Sequence, residues 1–152
     1  MKKFVALLLA AMMLLLTVSA LAEVVTIEGT SLQLDIGDME VQDMDDDDFD
    51  EDCVLWLVND DDTLECMIYV YDAEGAATED LEELMSDMEG VTASGFTTIN
   101  GVDTFFQVVT DDEEQYVLYY IIDDDMCAEI IFWYADDTAA QQSGEIMATI
   151  TR

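Results

Sequence analysis

The sequence has 152 residues with 37 aspartates and glutamates against three lysines and arginines, a formal charge of −34, and neither histidine nor proline. Nucleic-acid binding needs Lys or Arg to displace phosphate counterions, and an anionic membrane surface repels such a chain, so neither is an expected partner. With no histidine, and no lysine beyond Lys2 and Lys3, Ser-His, Cys-His, Ser-Lys and Schiff-base chemistries have no residues to run on.

The opening MKKFVALLLAAMMLLLTVSALA pairs two lysines with an apolar run from Phe4 to Val18 and small residues at Ala20 and Ala22. That pattern predicts a secretory signal peptide over residues 1–22; the run is shorter than the roughly 20 residues a membrane span requires. The expected product, residues 23–152, is secreted or periplasmic and soluble, of a size for one domain. Losing Lys2 and Lys3 takes the formal charge from −34 to −36 and leaves Arg152 as the one basic side chain. Disordered acidic chains lack aromatic and β-branched residues, whereas CVLWLV, CMIYVY, YVLYYII and IIFWYA are rich in both and predict a packed core.

Residues 23–52 read as two short strands, VVTIE and SLQLDI, punctuated by Gly29, and then an acidic connection, DMDDDDFDED. An EF-hand started at Asp43 would place Asp45 and Asp47 correctly, but it puts Asp48 where Gly makes the turn and Val54 where a bidentate Glu belongs. A start at Asp46 fails in the same way, with Glu51 sixth and Leu57 twelfth. A looser site remains open to this chemistry, because carboxylates suit hard cations.

Residues 53–152 form the main part of the same domain. CVLWLVN and TLECMIYVY make a hairpin about the turn NDDDT, with Cys66 expected opposite Trp56. Thr78 is the expected cap of a helix carrying Leu81, Leu84, Met85 and Met88 on one side and ended by Gly90. VTASGFTTI and VDTFFQVVT flank Asn100-Gly101, the strongest short hairpin signal. QYVLYYII, the turn DDD and MCAEIIFWYA extend a meander, and Asp136 or Asp137 caps a last helix with Ala139, Ile146, Met147 and Ile150 on one side. The predicted class is α+β, a single-domain antiparallel sheet with two helices in the order strands, helix, four strands, helix. The strand 116–121 is apolar on both faces, so both need cover.

The INGVDTFFQVV hairpin, the meander YVLYYIIDDDMCAEIIFWYA and the closing EIMATI resemble, over Cys53 to Thr151, small secreted domains of the PsbP-like type. The resemblance implies an α/β/α sandwich and a binding or accessory role without catalysis. It carries over no site residue, and LQLDIGDMEV stands where the family's usual proline and tryptophan would be.

Alternating strand directions gather the acids at two poles. Asp60, Asp61, Asp62, Asp111, Asp112, Glu113, Glu114, Asp136 and Asp137 fall at one, and residues 43–52 with the turn 123–125 at the other. Like charges at about 4 Å repel by roughly 1 kcal/mol even in water, so each pole favours a bound cation or raises some carboxyl pKa values. Asp45, Asp47, Asp123 and Asp125 are the candidate metal ligands, with Ca2+ the candidate cofactor; Asp60–Asp62 and Asp111–Glu114 are the candidate contacts for a basic protein or peptide. Self-repulsion favours a monomer. The three cysteines read as buried strand thiols. The expected function is a non-catalytic acidic binding domain. Two alternatives stand beside it: acidity that serves solubility in a saline setting, and a carboxylate-dependent hydrolase, which needs a carboxyl buried against Trp56 or Trp133.

Overall fold

The computed structural model describes residues 23–44, 50–110 and 114–152; the expected signal peptide, Asp45, Asp47, Asp111, Asp112 and Glu113 lie outside them. The described residues build nine strands, β1 (Val24–Thr26), β2 (Gln33–Asp35), β3 (Glu40–Val41), β4 (Cys53–Val58), β5 (Leu64–Asp72), β6 (Val91–Ile99), β7 (Val102–Thr110), β8 (Gln115–Asp123) and β9 (Met126–Tyr134). Helix α1 (Leu81–Leu84) lies between β5 and β6, and α2 (Asp137–Met147) follows β9. The result is an α+β antiparallel sheet of seven strands in the order β3-β4-β5-β9-β8-β7-β6, beside a separate β1-β2 hairpin.

Alternation along the strands makes two unlike faces. On one, Leu57, Leu64, Cys66, Ile68, Val117, Ile121, Ile130 and Phe132 are buried beneath Ile27, Leu32, Leu34 and Ile36 of the β1-β2 hairpin and Ala139, Ile146, Met147 and Ile150 of the C-terminal segment. Each such aliphatic side chain contributes about 1.5–3 kcal/mol on burial. The hairpin is tied to the C-terminus by reciprocal main-chain bonds between Gln33 and Thr151 at 2.9 and 3.0 Å. On the other face Leu81 packs with Phe105, Val109, Leu118, Tyr120 and Cys127, flanked by Met85 and Met88. Gln107 donates from Nε2 to the Met85 carbonyl at 3.0 Å and holds this segment over β7. The cover stops there, so the same face over β4 and the adjoining stretches of β5 and β9 beyond Cys127 stays open.

The Asn100-Gly101 turn forms as expected, with both residues at positive φ (50° and 83°). Asn100 Nδ2 also donates to the carbonyls of Ala148 and Ile150 at 2.8 and 3.0 Å, so the hairpin tip closes the end of the C-terminal segment. Asp136, one of the two expected caps, accepts from the Thr138 and Ala139 amides at the start of α2.

Three local expectations fail. Helix α1 is one turn of four residues with Asp80 at its cap position, preceded by a 3-10 turn over Thr78–Asp80 that starts from Ala77, so Thr78 caps neither, and Leu84 is exposed. The spacing of Leu81, Leu84, Met85 and Met88 was helical, but Glu79, Glu83 and Asp87 follow one another at i, i+4 with no basic residue between. Like charges at that spacing, and acids near a helix C-terminus, oppose propagation. Cys66 pairs with Leu57, and Trp56 with Met67. The shift arises because Asn59 closes the loop, its Oδ1 accepting from the Thr63 and Leu64 amides at 2.9 and 3.0 Å. Finally, Glu40 and Val41 add a short strand on the edge of β4, where only a connection was expected. The opposite edge is β6, nine residues without a charge, exposing Phe96.

Candidate functional site

The open half of the second face carries most of the unexplained chemistry. Strand β4 contributes Trp56, β5 contributes Glu65, Met67, Tyr69 and Tyr71, and β9 contributes Glu129, Ile131 and Trp133, all half-buried. Register sets them in rows: Trp56 beside Met67 and Ile131, Glu65 beside Trp133, and Tyr69 beside Glu129. Tyr116 of β8 pairs with Trp133, their rings 6.0 Å apart. Trp56 donates from Nε1 to Glu65 Oε1 at 2.7 Å. Aromatic rings and carboxylates therefore alternate across the surface.

Two hollows open on it and share Tyr69. One, about 550 Å³, is bounded by Asp62, Glu65, Met67, Tyr69, Glu114 and Trp133 among others. The other, about 440 Å³, lies between Asp50, Glu51 and Asp52 on one side and Tyr69, Tyr71, Glu129 and Ile131 on the other. No such cleft follows from a fully apolar strand pattern; it exists because the short α1 covers half the face.

Glu129 sits at the middle of β9, between Tyr69 of β5 and Tyr120 of β8. Tyr71 Oη donates to its Oε2 at 3.2 Å, and Tyr120 supplies a second hydroxyl. Burial pushes the Glu129 carboxyl above its ordinary value, and the two tyrosines only partly oppose this. Burial also raises the Tyr71 and Tyr120 hydroxyls, with Glu129 adding to the effect, so both stay protonated as donors. The carboxyl that burial raises is thus held by tyrosines rather than set against Trp56 or Trp133. Sequence reasoning missed Glu129 because one polar residue in MCAEIIFWYA looks like an ordinary break. The available signal was its apolar i±2 neighbours, Cys127 and Ile131, on the same face.

The acids singled out by the sequence are divided by the fold. Asp62 and Glu114 line the larger hollow, beside the turn that holds Asp60 and Asp61, where Asp61 Oδ1 accepts from Thr63 at 2.8 Å. At the other pole Asp123 is committed inside the protein. Its carboxylate accepts from the Ser31 amide at 2.6 Å, from Ser31 Oγ at 2.9 and 3.1 Å, and from Arg152 Nε at 3.0 Å. Burial would raise this carboxyl, but the Ser31 and Arg152 contacts outweigh it and hold it below the usual range. Asp125 gives its main-chain carbonyl to the Ala73 amide. Among the described residues no three acidic or thiol side chains converge in a way that would hold a metal ion. Cys53, Cys66 and Cys127 are free and buried, and burial pushes each thiol up, away from the reactive thiolate.

With seven antiparallel strands, helical cover on each face and the N-terminal hairpin beside α2, the chain can be set against solved structures. It superposes on the solution structure of cyanobacterial PsbP (CyanoP) from Synechocystis sp. PCC 6803 with a TM-score of 0.62 over 88% of this chain and 94% of that one, at 6% identity. The fold is PsbP-like. A crystal structure from Bacteroides thetaiotaomicron VPI-5482 also matches, with a TM-score of 0.53 and 15% identity over 79% of this chain, which spans 44% of that protein. No protein-family model matches the sequence, and no curated protein does. Among the described residues, no helix of this PsbP-like domain is long and apolar enough to cross a membrane.

Proposed function

We propose that this protein is an extracytoplasmic, non-catalytic binding domain that engages a basic protein or peptide across the open half of its sheet. The observation that carries this reading is the interleaving of Trp56, Tyr69, Tyr71, Tyr116 and Trp133 with Glu65 and Glu129 on one surface. Aromatic faces attract cations, and they do so more strongly where the site is partly dry. Neighbouring carboxylates supply the matching charge, and the rim continues it through Asp50, Glu51, Asp52, Asp62 and Glu114. With a formal charge of −36 over residues 23–152, long-range attraction steers a basic partner to the surface and makes association fast and salt-sensitive. Catalysis has less support, since Glu129 has two tyrosines in hydrogen-bonding contact and, among the described residues, no carboxyl hydrogen-bonds to it.

Titration of residues 23–152 with oligolysine, followed by tryptophan emission, tests the reading. Binding that perturbs Trp56 and Trp133 and weakens about tenfold or more between low and physiological salt is expected. Binding that leaves the emission unchanged would put the contact on the acidic loops instead and refute this surface.

A further inference from the structure

The smaller hollow has a floor unlike the rest of the acidic surface. Its rim acids, Asp50 and Asp52, stand on a loop in water. Glu129 instead rises from the centre of the sheet, with Tyr69 and Tyr120 across the ladder and Cys127 and Ile131 along its own strand. A carboxylate so placed is ordinarily paired with a cation, because leaving it alone in a low-dielectric site is costly. Inside this chain the cation is missing. Arg152, the one basic side chain of residues 23–152, is spent on Asp123. The two tyrosine hydroxyls soften the charge without neutralising it.

Resting on the basic-partner reading above, we propose that this hollow is a subsite for one lysine side chain of the partner, its ammonium seated on Glu129 between the rings of Tyr69 and Tyr71. The 440 Å³ space admits an alkyl stem along Ile131 toward Glu129, with Asp50 and Asp52 at the mouth. A lysine fits better than an arginine for a geometric reason. Tyr71 donates to Oε2 at 3.2 Å and Tyr120 also donates to this carboxylate, so part of its lone-pair capacity is already used and less is left for the two parallel bonds of a guanidinium fork. A compact ammonium needs a single acceptor direction, and it gains from adjacent ring faces.

The test compares oligolysine, oligoarginine and oligolysine acetylated on every Nζ, each titrated against the parent chain, Glu129→Gln and Glu28→Gln. Glu28 is exposed on the turn between β1 and β2, so its variant matches the change in net charge far from the hollow. Glu129→Gln is nearly isosteric, and circular dichroism with a thermal melt establishes that each variant is folded. The expected result is a loss of oligolysine affinity of about ten- to hundredfold in Glu129→Gln, the size of one charge-assisted contact. Glu28→Gln and the oligoarginine titrations should change by no more than about twofold, the size of a screened surface charge. The acetylated peptide should not bind. Equal losses in the two variants would overturn the subsite and leave the basic-partner reading standing. Failure of the parent chain to bind either cationic peptide would overturn both. An arginine preference that depends on Glu129 would refute the choice of lysine and keep the floor.

Discussion

Glu129 and Asp123 show how opposite environments give two acids opposite roles. Burial raises the Glu129 carboxyl, so between the ordinary carboxyl value and the raised one the folded chain holds a proton that the unfolded chain has released. Stability therefore falls as pH rises through that window and recovers as pH drops back through it. Asp123 runs the other way. Its carboxyl is held low by Ser31 and Arg152 despite burial, so its contribution is present above the ordinary Asp value and is lost as pH falls through the lowered one. Glu129→Gln is expected to raise the melting temperature at neutral pH, with the gain shrinking as the pH is lowered toward the ordinary carboxyl range. Thermal melts across a pH series check this, and a uniform loss at every pH would contradict it. Neither role could be read from the sequence, because each depends on partners far along the chain. Ser31 meets Asp123 across 92 residues, and Tyr71 meets Glu129 across 58.

The strands were readable where local chemistry and tertiary packing agree. Asn100-Gly101 tolerates positive φ and has apolar strands on both sides, so its hairpin needed no further information. The alternation in residues 116–121 showed that both faces of β8 would be covered, and both are. Reading failed where electrostatics overrode a spacing pattern, as in α1, and where a strand of two residues, β3, depends wholly on its neighbour. The aromatic surface escaped notice for the same reason: a long α1 would have covered more of it. Helix α2 illustrates the reverse case, since Asp136 caps two amides and the apolar stripe packs as its spacing requires. Asp136→Ala should cost about 1 kcal/mol of stability, the usual value for an N-cap, measured by denaturant unfolding. An unchanged midpoint would mean that α2 is held by packing alone.

The charge of the whole molecule and its edges act together. Seven strands leave β3 and β6 as the ends of the sheet. A strand end offers unpaired amides and carbonyls to any other extended chain, and proteins commonly blunt such ends with lysines or prolines. β6 has neither; its sequence VTASGFTTI is uncharged. With a formal charge of −36 over residues 23–152, mutual repulsion spread over the rest of the surface is expected to keep two copies apart. That protection has a pH at which it vanishes, because the sequence pI lies near 4.1. Acidification toward that value should cloud a concentrated solution while the fold persists, with light scattering rising before the far-ultraviolet dichroism changes. Thr97→Lys, which puts a charge on exposed β6, should keep the solution clear at the same pH, whereas turbidity equal to that of the parent would place the sticking surface elsewhere. On this expectation, storage, purification and crystallisation of this protein depend on a colloidal barrier that an uncharged edge strand borrows from acids elsewhere in the chain.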